Sequence, residues 1–252
     1  MIYSYLDIRS TIKATNIKEL DADCTYLPSG QSIPSDATMI IVHGVLRGMG
    51  DRIKEAIERQ IPWVYMDNGY HGKYKRVILN ATAPTTMREG KRFDYEVNLE
   101  SWKGGEGDHI LVVPPSYPYM DTFGASDFLN YVCHNINRYT GRDLIVRAKP
   151  AKPERKKWAQ PLESQLENAY AVVTWGSAVA LDALRMGIPT ISLGWCPAKA
   201  ASFGFEDLET DRLWIEPART RVWDNLTWSS FERNELPIAL QTAMENARKN
   251  DF

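Results

Sequence analysis

Short apolar runs bounded by turn formers alternate along this chain with stretches of helical period, an alternation that predicts parallel strands joined by helices. MIYSYLDI (1–8) alternates as a strand does, and a polar stretch with Pro28, Gly30 and Pro34 follows. ATMIIVHG (37–44) predicts a buried strand. GDRIKEAIERQ (50–60) predicts an amphipathic helix with Ile53, Ala56 and Ile57 on one face, and IPWVYMD (61–67) a second buried strand. That βαβ pattern implies parallel pairing. Beyond Asp67 the chain is rich in turn formers and basic residues, and its one apolar run, RVILN (76–80), predicts a further strand inside a functional loop region.

SWKGGEGD (101–108) has three glycines and no apolar period, so it reads as a linker between lobes. After it the alternation becomes regular. HILVVPP (109–115), DLIVRAKP (143–150), AYAVVTWG (169–176) and IPTISLG (188–194) predict strands. Helices are expected between them at 125–141, 161–169 and 177–187. Four buried strands alternating with helices describe a Rossmann-like, doubly wound lobe. The segment 228–250 predicts an amphipathic helix pair around Pro237. The fold class is therefore α/β, with two Rossmann-like lobes, 1–105 and 106–252, and a cleft between them.

At 252 residues, 44% hydrophobic and 25% charged, the chain has the composition of ordinary globular proteins and is long enough for two small cores. No run approaches the roughly 18 apolar residues of a membrane span, and the N-terminus lacks a basic region followed by an apolar one, so a cytoplasmic protein is expected. Cys24, Cys133 and Cys196 are far apart, odd in number and form neither a CxxC pair nor a zinc-type cluster with the four histidines, which predicts buried, reduced thiols. The net charge of −2 is unevenly spread: Lys73–Arg92 carries +5 and Arg138–Lys157 carries +6, leaving −13 elsewhere. Each basic segment reads either as a solvated loop or as a local seat for an anionic ligand or polymer.

The most informative stretch is Ala169–Gly194. A strand ends at Val173-Thr174, Gly176-Ser177 turns the chain, and Ser177 is a natural N-cap for the helix that follows. Free backbone N–H groups there suit a diphosphate. Asp182, five residues beyond Ser177 and roughly 140° around the helix, is a candidate for a ribose hydroxyl. This string resembles the donor-binding segment of GT-B glycosyltransferases and of nucleotide-sugar epimerases, in which a Gly-Ser turn leads into a helix carrying an acidic residue and ending in Gly-x-Pro. Gly176, Ser177, Asp182, Gly187 and Pro189 carry the likeness, with Asp182 standing where the family usually has Glu. The resemblance extends over most of 108–194. It implies that Ser116 in VVPPS approaches the phosphates, that Arg147 and Lys149 hold them, and that Thr174, Trp175 and Ala178 complete the donor site. It also implies a donor lobe at 106–252 and an acceptor lobe at 1–105.

In the first half, Asp67 follows a buried strand directly and His43 ends another, so both sit at the edge where sites of open α/β sheets collect. The turn DNGYHG, with Tyr70 and His71, resembles a D-x-G-Y turn of small phage-type glycosyltransferases. Asp67, His43 and His71 are the candidate catalytic residues, Asp67 ranking first as the base that takes the acceptor's proton. The resemblance implies a nucleotide-sugar substrate, with a UDP-sugar the first expectation and no obligatory cofactor or metal. The phage-type likeness and the basic segments point first to a hydroxymethylated pyrimidine in double-stranded DNA, acted on in a host cytoplasm. Tyr70 and Tyr74 would then stack on an extruded base, and Lys73, Lys75, Arg76, Arg88 and Arg92 would track the backbone. A polysaccharide or lipid-linked glycan is the alternative acceptor; an epimerase or a non-catalytic nucleotide-binding module are the alternative classes. The sequence has no GxxxxGK[ST], early GxGxxG, GxSxG or HExxH motif, which argues against P-loop kinases, dinucleotide oxidoreductases, the usual hydrolases and zincins.

Overall fold

Two mainly parallel sheets, each with its own hydrophobic core, organise the chain in the computed structural model, which describes residues 1–6, 24–84, 87–149 and 161–249. The end of the first predicted strand (Asp7, Ile8) and the part of the second basic segment from Pro150 to Lys157 lie outside the described residues. In chain order the first elements are β1 (Ile2–Leu6), β2 (Thr25–Pro28), β3 (Met39–His43), α1 (Met49–Glu58), β4 (Trp63–Asn68) and β5 (Lys75–Leu79). There follow β6 (His109–Val113), α2 (Tyr117–Phe123), α3 (Phe128–Tyr139), β7 (Asp143–Val146), α4 (Leu162–Leu166), β8 (Ala169–Thr174), α5 (Val179–Arg185) and β9 (Thr190–Ser192). The last are α6 (Arg219–Thr227), β10 (Ser230–Phe231) and α7 (Leu236–Lys249). Met1–Pro84, Asp121–Gly124 and Leu226–Phe252 form one unit, and Thr85–Met120 with Ala125–Asn225 the other.

In the first unit β2, β1, β3 and β4 lie side by side in that order and all parallel; β5 and β10 then add antiparallel at one edge. The wholly buried run Ile40-Ile41-Val42 shows why this sheet reads as continuous apolar sequence, for it is covered on both faces. One face, with Ile41, Val64, Met66 and Val77, packs on Leu236, Ala239, Leu240 and Ala243 of α7. In α1 the buried side chains are Met49, Ile53 and Ala56, an i, i+4, i+7 row. Ile57, expected on that row, is instead 47% exposed.

The second unit is an all-parallel sheet in the order β7-β6-β8-β9. Alternate residues of β6 serve opposite faces: Ile110 and Val112 pack with Phe128, Val132 and Ile136 of α3, while Leu111 and Val113 pack with Leu166 of α4 and Ala183 of α5. This is the doubly wound lobe expected from the sequence. Both units place their first strand between their second and third, so each has a switch point where the chain reverses direction along the sheet: β1/β3 in the first and β6/β8 in the second.

One local expectation holds and two change. The run at 76–80 does form a strand, β5 (Lys75–Leu79), paired antiparallel to β4, so GYHGKY (69–74) is a hairpin loop and Asp67 and Asn68 end β4. The C-terminal segment is one helix, not a pair: Pro237 lies in the first turn of α7, where a missing N–H costs nothing, and β10 precedes it. All three cysteines are free thiols, and only Cys196 is buried.

The glycine-rich stretch read as a linker is close-packed inside the second unit. Glu100 N–H bonds to the Arg185 carbonyl (2.9 Å) and Lys103 N–H to that of Gly187 (2.8 Å), at the end of α5. Buried Arg219 donates to the carbonyls of Leu184 (2.8 Å) and Glu100 (2.9 Å). A Cβ on Gly104 would fall inside the Leu213 carbonyl, the group that also accepts from Trp102 Nε1 (2.9 Å). Gly104→Ala should therefore destabilise the fold by about 1–3 kcal/mol, the usual cost of overpacking, and lower the urea midpoint. An unchanged midpoint is the result expected of a slack linker.

Candidate functional site

Sites of open α/β sheets form beyond the carboxyl ends of the strands at the switch point, where successive loops diverge and leave a crevice. In the second unit that place is between β6 and β8. Thr174, the wholly buried last residue of β8, donates its hydroxyl to the Val113 carbonyl (2.7 Å) at the end of β6 and accepts from Ser177 N–H (3.3 Å). It thus fastens both strand ends and the turn between β8 and α5. The Ser177 hydroxyl accepts from Val179 N–H (3.3 Å), so the residue does organise the helix start. The helix itself begins at Val179, with Ala178, not Ser177, in the cap position.

At Gly176 the turn after β8 meets the backbone that follows β9 and the Tyr119 side chain of α2. A Cβ there would stand 2.7 Å from the Trp195 carbonyl and 3.2 Å from the Tyr119 hydroxyl, tighter than any larger residue tolerates without displacing its neighbours. Trp175 is half-buried against the core and lies against Gly194. Ser116 ends the β6 loop and its carbonyl accepts from Tyr119 (2.8 Å) and Met120 (3.0 Å), starting α2. Tyr119, absent from the sequence-derived set, thus joins Ser116, Gly176 and Ser177. Ser116 followed at once by Tyr-Pro was the available signal, since Ser before a helix and Pro just inside it mark a helix start.

Arg147 and Lys149, expected together at the phosphates, have different surroundings. Arg147 is 9% exposed and its guanidinium bonds the Gln165 side chain; burial pulls its pKa down, against the opposing field of Glu163. Lys149 is exposed. Asp182 is half-buried, and burial pushes its carboxyl up, with Arg185 pulling down and Glu163 adding to the rise.

In the first unit Asp67, near the end of β4, sits in a charged cluster. Its Oδ2 accepts from the Tyr65 hydroxyl (2.8 Å) and from Arg76 Nη2 (3.2 Å), and its Oδ1 accepts from Asn68 N–H (2.8 Å). Burial pushes the Asp67 carboxyl up, but Arg76, the Asn68 amide, the Tyr65 hydroxyl and His43 outweigh it and hold the group below the usual carboxylate range. His43 is buried at the end of β3. His71 lies in the hairpin loop, where its carbonyl accepts from Tyr74 N–H (3.0 Å) and Gly69 N–H bonds the Tyr74 carbonyl (2.9 Å).

The basic residues expected along a nucleic-acid backbone are dispersed. Lys73 pairs with Glu232 (2.6 Å), Lys75 donates to the Asn68 side chain (2.8 Å), and Arg76 pairs with Asp67, all in the first unit. Arg88 and Arg92 belong to the second, where Arg92 stacks on Phe93 (5.3 Å). The Arg76–Asp67 pair escaped the sequence reading because it is made by hairpin register, which sets the two residues opposite each other.

No protein-family model matches the chain, and no curated protein matches it. Among solved structures it is similar to Thermosulfurimonas dismutans KpsC, beta Kdo 2,4 transferase, at 11% identity over 90% of each chain with a TM-score of 0.49. It is also similar to Thermosulfurimonas dismutans KpsC, beta Kdo 2,7 transferase, at 10% identity over 97% of this chain and 99% of that one, again with a TM-score of 0.49. At this identity and superposition the likeness assigns no activity to this chain.

Thr174→Val keeps the shape of the pin but removes both of its bonds, leaving the Val113 carbonyl and Ser177 N–H unsatisfied. A loss of roughly 1–3 kcal/mol is expected in chemical unfolding, together with faster hydrogen exchange at Ser177. Wild-type stability and exchange would show that the loop is held by something else.

Proposed function

We propose that this chain is a glycosyltransferase that takes a sugar from a nucleotide-sugar and passes it to a hydroxyl of a glycan. The observation that carries this reading is the second unit's switch point, where Thr174 ties the end of β6 to the turn after β8 and Gly176 has room for no side chain between the Trp195 carbonyl and the Tyr119 hydroxyl. The segment Ala169–Gly194, whose resemblance is to nucleotide-sugar-binding chains, builds one side of that crevice.

In this mechanism the donor phosphates lie against the Gly176–Ala178 turn, the Tyr119 hydroxyl and the exposed Lys149 ammonium. Arg147 is buried and already bonded to the Gln165 side chain of α4. The acceptor oxygen attacks the anomeric carbon, the bond from that carbon to the phosphate oxygen breaks, and the charge left on the nucleotide is met by those donors. The acceptor's proton goes to Asp67, held as an ionised carboxylate by Arg76, the Asn68 amide and the Tyr65 hydroxyl. A glycan acceptor is favoured over DNA because Lys73 and Arg76 are matched by Glu232 and Asp67, which leaves less unbalanced positive charge for a phosphate backbone.

Calorimetry with a panel of nucleotide-sugars tests the donor site. Ser177→Leu should abolish binding, and Lys149→Ala should weaken nucleoside diphosphates about 10-fold or more while sparing the free nucleoside. Unchanged affinity in folded Ser177→Leu protein removes the site from β8.

Turnover tests the base. Asp67→Asn should lower transfer by about 10²-fold or more at unchanged donor affinity. Transfer to hydroxymethylated DNA instead of glycans would replace the acceptor, and interconversion of the nucleotide-sugar without transfer would replace the reaction class.

A further inference from the structure

Resting on the reading of Asp67 as base, we propose that Arg76 is a positioning residue, which fixes that carboxylate by one oxygen and leaves the other to take the acceptor's proton. The hairpin register sets Asp67 of β4 opposite Arg76 of β5. The Arg76 guanidinium lies 5.1 Å from the centre of the Tyr65 ring and 4.9 Å from that of Tyr70. Nη1 bonds the Tyr70 hydroxyl, and Nη2 reaches Asp67 Oδ2 (3.2 Å) and the Tyr65 hydroxyl (3.4 Å). A planar fork held against two rings cannot swing, so the carboxylate it grips is oriented as well as neutralised.

The two oxygens of Asp67 are unequally used. Oδ2 takes two donors, Tyr65 and Arg76, whereas Oδ1 takes only the Asn68 amide among the described residues. Exposure runs in the matching order: the Arg76 side chain is 15% exposed and that of Asp67 30%. The cation lies inside and the carboxylate faces outward, which is the order a base requires and the reverse of what a phosphate-tracking arginine requires. When the acceptor O–H breaks, the proton is taken by Oδ1 while Oδ2 stays in the clamp.

The ionisable groups around Asp67 are His43 on β3, Tyr65 on β4, Tyr70 in the hairpin loop and Arg76 on β5. Removing Arg76 deletes the strongest influence opposing burial, so the carboxyl's titration must move to higher pH. The experiment follows the Asp67 carboxyl by carbon NMR, assigned with Asp67→Asn, in wild type, Arg76→Gln, Arg76→Lys and Tyr65→Phe. It also measures the pH dependence of nucleotide release from the donor that binds, with acceptor present.

Arg76→Gln should raise the Asp67 midpoint and move the acid limb of kcat upward by the same amount, with donor affinity unchanged. Tyr65→Phe, which keeps the ion pair and the fold, should give a smaller rise of the same sign. Arg76→Lys, with the charge but not the fork, should leave the limb near its wild-type position and lower turnover about 10-fold or more across the pH range. If Asp67→Asn is inactive but neither Arg76→Gln nor Tyr65→Phe moves the midpoint, the positioning role is wrong and the base stands. If the midpoint moves while Asp67→Asn keeps full turnover, the base reading fails and the proposal with it.

Discussion

A single buried hydroxyl ties together the two strands that flank the second unit's switch point. Beyond its last residue a parallel strand has no ladder partner, and the loops on either side of a switch point run apart because their helices lie on opposite faces of the sheet. Thr174 counters this by bonding both the end of β6 and the turn after β8. The narrow seat of Gly176, the start of α5 and the approach of Tyr119 all follow from that connection. A valine of the same shape satisfies the apolar pattern of AYAVVT equally well, so the role of the hydroxyl is visible only once β6 and β8 are neighbours.

What the chain's pattern revealed, and what it did not, divides along the same line. Runs such as MIIVH and HILVV are buried on both faces and have little alternative to being central parallel strands, and α3, α4 and α5 followed from their periods. β2 was missed because it is a short edge strand ending in Pro28, with no core face to leave a pattern. SWKGGEGD was misleading for a different reason. Glycine signals either slack or close approach, and only the Leu213 carbonyl, more than a hundred residues away in sequence, distinguishes them. Of the site residues, those at strand ends were legible by position. Tyr119 and the Arg76–Asp67 pairing depend on a two-turn helix and on hairpin register, neither of which leaves a periodic trace.

The two candidate edges differ in kind, one at the β6/β8 switch point and the other at β4, beside the first unit's β1/β3 switch point rather than at it. The second unit's edge is made of backbone turns, small residues and aromatic rings, with Arg147 buried on Gln165 and Lys149 exposed. The edge of β4 in the first unit is a charged cluster whose components cancel locally. A chain segment of high positive charge is thus no measure of the potential it presents, because β5 pairs Arg76 with a carboxylate of β4 and Glu232, just after β10, pairs with Lys73. Charge summed along the sequence and charge expressed at a surface are related only through strand register.

The first unit draws five of its six strands, β1 to β5, from residues before the second unit, and its edge strand β10 and covering helix α7 from residues after it. Phe231, Leu236, Ala239, Leu240 and Ala243 complete the core that Met39, Ile41, Val64 and Met66 begin. On a ribosome, β1 to β5 therefore emerge long before β10 and α7 exist, and the second unit is translated in between, an interval on the order of ten seconds. During that interval one apolar sheet face lacks its native cover, whereas the second unit holds all of its elements before α7 is made. The order of maturation is thus the reverse of the order of synthesis: the half that is translated first is the last to close.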